Sequence, residues 1–105
     1  MFALTRLRVP AGQAAPVAAD AAALLAALAA RPGFVDGEVG WAAEDRTLLA
    51  LLTRWDGVGA YRRALSAAEV KIAGAPVWVH AVDEPGVWVP DRPDDGADVR
   101  GGGGV

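Results

Sequence analysis

One stretch restricts the fold of this chain more than any other. Residues Thr47 to Trp55 read TLLALLTRW, apolar on both faces until near the end. A strand with one face on a core alternates apolar and polar side chains, whereas a strand apolar on both faces is covered on both sides. The stretch therefore belongs in the middle of a sheet. The segment before it, Glu44-Asp45-Arg46, is short and polar, so the strand pairs back on its predecessor as a hairpin.

The remaining elements are read around that strand. Phe34 to Ala43 is the hairpin partner, with Val35, Val39 and Trp41 on one face and Phe34, Asp36 and Glu38 on the other. Phe2 to Val9 is a first strand, alternating between Phe2, Leu4, Arg6 and Arg8 on one face and Ala3, Thr5, Leu7 and Val9 on the other. Pro10-Ala11-Gly12 ends it, and an alanine-rich helix follows from about Pro16 to Arg31, with Val17, Leu24, Leu25 and Leu28 as its apolar stripe. Arg31-Pro32-Gly33 stops that helix. Asp56 stands where an N-cap belongs, and Tyr61, Leu65, Ala68 and Ile72 carry helical spacing through a second helix from Val58 to about Ala73. Ala75 to Asp83, centred on VWVHAV, is read as a fourth strand that places Trp78, His80 and Val82 on one face. Val87-Trp88-Val89 adds a short edge strand after the Glu84-Pro85-Gly86 turn.

The order β-α-β-β-α-β is an α+β, ferredoxin-like arrangement of an antiparallel sheet with two helices on one face. Residues 1–90 form that domain, and residues 91–105, rich in Asp, Pro and Gly, are read as a disordered tail. Two helices leave the other sheet face bare and apolar, so the fold implies a homodimer with two sheets packed face to face.

Composition narrows the chemistry. At 105 residues and 53 % hydrophobic, the chain can bury a core, and its net charge of −3 argues against a nucleic-acid partner. Cysteine is absent, which removes thiolate nucleophiles, disulfides and cysteine-held metals. Ser66 is the single serine and sits in no nucleophile elbow; His80 is the single histidine; asparagine is absent. No metal-ligand set and no phosphate-binding glycine loop is present. The longest apolar run, Ala21 to Ala30, is half of what a membrane span needs, and the basic residues near the start follow the apolar ones. The expectation is a cytoplasmic protein without a membrane partner. Any catalysis runs on aromatic, arginine and carboxylate groups, or on the substrate's own reactivity.

Two stretches carry a resemblance. Arg31-Pro32-Gly33-Phe34 opens the second strand, and Leu51-Leu52-Thr53-Arg54-Trp55-Asp56-Gly57-Val58-Gly59-Ala60-Tyr61-Arg62-Arg63 places an aromatic six residues after a strand-ending tryptophan. With the segment Arg63 to Lys71 and Asp83-Glu84-Pro85, these resemble the antibiotic biosynthesis monooxygenase family of dimeric α/β-barrel proteins, over roughly residues 2–89. The resemblance implies oxidation of an aromatic polyketide, of anthrone, hydroquinone or angucycline type, by O2 with no metal and no bound cofactor. Ring-opening relatives imply reduced flavin as a further co-reactant. Haem-degrading relatives use an asparagine, a tryptophan and a histidine; this chain has no asparagine, and Ala64 and Gly74 fall near the other two places.

Trp55 and Tyr61 match the quinone-forming members in identity and spacing, whereas Leu51 stands where they have asparagine, and their later arginine has no clear counterpart. The candidate catalytic residues are thus Tyr61, as hydrogen-bond donor or proton relay; His80, as the natural base for deprotonating a phenol; and Trp55, as a stacking surface. Trp78, Arg62, Arg6, Leu51 and Trp41 are the candidate substrate-binding residues. Each has a plain structural alternative: core aromatics for the tryptophans and Tyr61, an interface imidazole for His80, solvated charge for the arginines. The rival to an enzyme is a dimeric α/β barrel that binds a polyketide without transforming it, or assists a partner oxygenase. Bulky side chains facing the helices at Leu49, Leu51 and the opposing helix, leaving no room for catalysis, favour that rival, and a filled cavity favours a third reading, a purely structural dimer.

Overall fold

The structure, a computed structural model, describes residues 1–90, so the expected tail at 91–105 lies outside the described residues. The elements are β1 (Phe2–Arg8), α1 (Ala14–Ala29), β2 (Phe34–Trp41), β3 (Leu48–Trp55), α2 (Val58–Ser66), α3 (Ala68–Trp78) and β4 (Val87–Trp88). The sheet is antiparallel in the order β2-β3-β1-β4, the ferredoxin-like order. The doubly apolar strand is interior, as expected.

Pairing of β1 with β3 sorts the side chains. Leu7 faces Leu49, Thr5 faces Leu51 and Ala3 faces Thr53, all on the side under the helices. On that side Leu7, Leu49, Leu51, Thr53 and Trp55 are buried, and α1 lays Val17, Ala21, Leu24 and Leu28 over them. The alternate residues, Leu4 with Leu52 and Arg6 with Ala50, form the open face. Phe2 and Trp88 stack there with centroids 6.4 Å apart, and Arg6 makes a two-pronged ion pair with Glu84. That pairing raises the arginine's pKa and lowers the carboxylate's.

Three expectations need correction. The strand read at Ala75–Asp83 is instead the last turn of α3 followed by irregular chain. Val70, Gly74 and Val77 recur at helical spacing and are buried, and that stripe outweighs the short VWVHAV alternation. Trp78 is therefore helical and His80 lies in the turn beyond; they do not share a strand face. The edge beside β1 is filled by residues 80–88, through backbone bonds from Arg8 to His80, Val82 to Arg6 and Leu4 to Gly86. Second, the helix read across Val58–Ala73 breaks at Ala67, whose φ and ψ of −69° and 139° are extended. Third, α2 is capped by Gly57 and not by the Asp56 side chain.

A bulge alters β2 as well. Phe34 pairs with Trp55 and Asp36 with Arg54, so Val35 is an extra residue with no partner. Phe34 thereby moves to the helix side, against the core with Val39, and Val35 is left 56 % exposed. Further along β2, α1 approaches so closely that a Cβ on Gly37 would lie 2.8 Å from both Leu25 Cδ1 and the Leu52 carbonyl oxygen. Gly37→Ala is expected to cost about 1–3 kcal/mol through this overpacking. Gly40→Ala, with open space around it, is expected to cost almost nothing. Denaturant unfolding of the two variants checks this, and equal midpoints would contradict it.

Candidate functional site

The site begins where the chain leaves β3. Gly33, at φ +88°, turns the chain into β2, and its carbonyl accepts a hydrogen bond from Asp56 N at 2.8 Å. A side chain there would collide with Ala60, since a Cβ would stand 2.5 Å from Ala60 Cβ. The Arg31-Pro32-Gly33-Phe34 turn is thus pressed onto the start of α2. This contact fixes the direction of α2, whose first turn carries Tyr61 inward.

Three aromatic rings meet at this junction. Phe34 packs edge-on against Trp55 at 5.3 Å, and Trp55 meets Tyr61 at 5.6 Å with a tilt of 57°. Trp55 Nε1 donates to Thr53 Oγ1 at 2.8 Å, a hydrogen bond wholly inside the protein. Tyr61 is 8 % exposed, and burial pushes its phenol pKa above the ordinary value. A phenol so placed stays protonated at neutral pH and acts as a hydrogen-bond donor.

Beside Tyr61 an open hollow of about 360 Å³ lies between the two helices, lined by Tyr61 and Leu65 of α2 and by Lys71 and Trp78 of α3. Its size falls within the range of small-molecule sites, about 300–1,000 Å³. The break at Ala67 turns α3 back against α2 and so creates it. Trp78 is seated by Gly74 one turn earlier, where any Cβ would strike the indole nitrogen.

The structure brings together Trp55, Tyr61 and Trp78 and separates the other candidates. Leu51 is 3 % exposed in the core, and with Leu49 it fills the space between sheet and helices. Arg6 lies on the open sheet face, paired with Glu84. Arg62 is exposed on α2. Trp41 ends β2 and lines a separate open groove of about 560 Å³ with Ala14, Ala15, Ala18 and Arg46. His80 is outside the lining of the Tyr61 hollow, its backbone carbonyl accepting from Arg8 N. Lys71 was missed: on one continuous helix it would stand about 15 Å along the axis from Tyr61, so only the break reveals it. Among the described residues no three His, Cys, Asp or Glu side chains gather to hold a metal ion, and no helix is long and apolar enough to cross a membrane.

Removing the acceptor of the Trp55 indole gives a direct test of this junction. Thr53→Val keeps the shape but leaves a buried N–H unpaired, and is expected to cost about 1–3 kcal/mol. Chemical denaturation monitored by tryptophan fluorescence measures it; an unchanged midpoint would show that the bond does not matter.

The same architecture recurs among solved structures. SnoaB, described as a cofactor-independent oxygenase from Streptomyces nogalater, matches with a TM-score of 0.75 at 21 % identity, over 87 % of this chain and 92 % of its own. A candidate antibiotic biosynthesis monooxygenase from Nitrosomonas europaea matches at 0.68 and 12 % identity, over 80 % and 90 %. A further antibiotic biosynthesis monooxygenase matches at 0.67 and 8 % identity, over 79 % and 87 %. No protein-family model and no curated protein matches the sequence. At these identities the likeness is one of fold: the chain has the fold of solved structures named for the antibiotic biosynthesis monooxygenases, the family its sequence resembles.

Proposed function

We propose that this protein is a small cytoplasmic oxygenase that oxidises an aromatic polyketide, of anthrone or hydroquinone type, with O2 and without a bound cofactor. The observation that carries the reading is the buried, protonated Tyr61 phenol, backed by Trp55 and facing a hollow walled by Trp78. The fold shared with SnoaB, itself described as cofactor-independent, supports a reaction without flavin.

The substrate brings much of the reactivity. An anthrone that gives up a ring-methylene proton to water at the open mouth of the hollow becomes an electron-rich enolate. The enolate passes one electron to O2, and the radical pair recombines to form a carbon–oxygen bond to peroxide. Loss of water leaves a new carbonyl, so one oxygen atom of O2 ends in the quinone and the other in water. The protein's part is to hold the ring and stabilise the enolate oxygen. Lowering the substrate's effective pKa by two units needs about 2.7 kcal/mol of differential stabilisation. One charge-assisted hydrogen bond from Tyr61 to the oxyanion contributes about 1.5–3 kcal/mol. Trp55 and Trp78 supply flat surfaces for the rings.

The protein is proposed to work as a homodimer through its open sheet face. Leu4, Leu48, Ala50 and Leu52 form a shallow apolar hollow there with Arg6 and Glu38 at its edge, and the stacked Phe2 and Trp88 lie on the same face. The second reading, a barrel that binds a polyketide without transforming it, is favoured by one observation: Leu49 and Leu51 fill the space between sheet and helices, so the Tyr61 hollow lies outside that space and is open to solvent.

Anaerobic mixing with an anthrone followed by O2, with and without reduced flavin, separates the readings. O2 uptake and quinone formation without flavin are expected. Tyr61→Phe is expected to lower kcat about 10²-fold, as loss of one oxyanion donor does, with a smaller effect on KM, and His80→Ala run alongside tests the histidine. Binding without turnover moves the reading to the non-catalytic barrel. For the assembly, sedimentation is expected to give a dimer that Leu52→Glu converts to a folded monomer; a wild-type monomer would contradict the proposed interface.

A further inference from the structure

Lys71 is the chain's single lysine and, among the described residues, the only charged one lining the Tyr61 hollow. It makes no salt bridge among the described residues, whereas the arginines of the open sheet face, Arg6, Arg8 and Arg54, each pair with a carboxylate. The other walls are Leu65 and two aromatic rings, so nothing in the lining neutralises the ammonium group. Its position follows from the chain break. Ala67 leaves α2 in an extended conformation and its carbonyl accepts from Lys71 N at 2.9 Å, which sets Lys71 at the end of the first turn of α3. Tyr61 and Lys71 thus reach the hollow from two helices.

We propose that Lys71 makes this hollow selective for a planar aromatic anion, binding the ionised substrate in preference to its neutral form. An unpaired ammonium beside aromatic walls attracts negative charge, while the rings take up the flat apolar body. Tyr61 then donates to the same oxyanion or to one beside it. The inference rests on the hollow assigned above as the substrate site and adds the charge state of what it takes. It also gives the substrate a reason to ionise on binding, because the anion alone gains the Lys71 contact.

The test uses two probes of nearly equal shape, anthracene-9-carboxylate and anthracene-9-methanol, titrated against the full chain by tryptophan fluorescence. Wild type is expected to bind the carboxylate about tenfold more tightly than the alcohol, an advantage that shrinks as salt rises. Lys71→Met is expected to bring the two probes level without weakening the alcohol, and Lys71→Arg to keep most of the preference. Lys71 is exposed, so neither variant disturbs the core. Equal preference in wild type and Lys71→Met overturns the proposal, as does failure of wild type to bind either probe. Anthrone turnover measured on the same proteins separates the two ideas. Charge selectivity without turnover removes the oxygenase reading and leaves Lys71 standing; turnover indifferent to Lys71→Met, with level binding, does the reverse.

Discussion

The antiparallel pairing of β1 with β3 is the constraint on which the rest of this structure depends. Its register sends Leu49, Leu51, Thr53 and Trp55 under the helices together with Ala3, Thr5 and Leu7, and sends Leu4, Arg6, Ala50 and Leu52 to the open face. A slip of one residue would exchange the two sets, exposing the leucines and burying Arg54. Because Trp55 is the last residue of β3 on the helix side, the same register decides where the aromatic junction forms. The Asp56–Gly33 backbone bond and the close fit of Gly33 on Ala60 then aim α2 so that Tyr61 meets Trp55.

The hollow is a product of what surrounds this frame. Leucines close the space between sheet and helices, and the helical layer opens instead where the chain breaks at Ala67. Burial keeps the Tyr61 phenol protonated on one side, and Gly74 gives the Trp78 indole a seat on the other. At the far end of the sheet Asp45 holds the β2–β3 connection, accepting from Thr47 and Arg8, and those bonds draw its pKa down to about 2.

The framework was largely legible in the sequence because it rests on long apolar periodicities. The interior place of β3, the Val17, Leu24, Leu25 and Leu28 stripe of α1 and the turn at Arg31-Pro32-Gly33 each read correctly. Legibility failed where a local device overrides the period. The bulge at Val35 carries Phe34 across the sheet, and no residue type there announces it. Val77 belongs to a helical stripe with Val70 and Gly74, yet its neighbours alternate like a strand, and six residues are too few to separate the two periods. At the site, Trp55 and Tyr61 were singled out by the family resemblance that their identity and spacing carry, and the structure brings the two rings together. Lys71 was not, because its nearness to Tyr61 depends on a helix break set by tertiary packing.

The central claim is that the hollow between α2 and α3 is where the ligand sits, and the four tryptophans report on it separately. Trp55 stands in the aromatic junction, Trp78 in the hollow, Trp41 in the alanine-lined groove and Trp88 on the open sheet face. The most direct measurement is to follow their four assigned indole N–H resonances by NMR while an anthrone is added under nitrogen. The account predicts that Trp78 moves most and Trp55 with it, while Trp41 and Trp88 stay in place. Movement centred on Trp41, with Trp78 unchanged, would contradict it and transfer the site to the opposite end of the sheet.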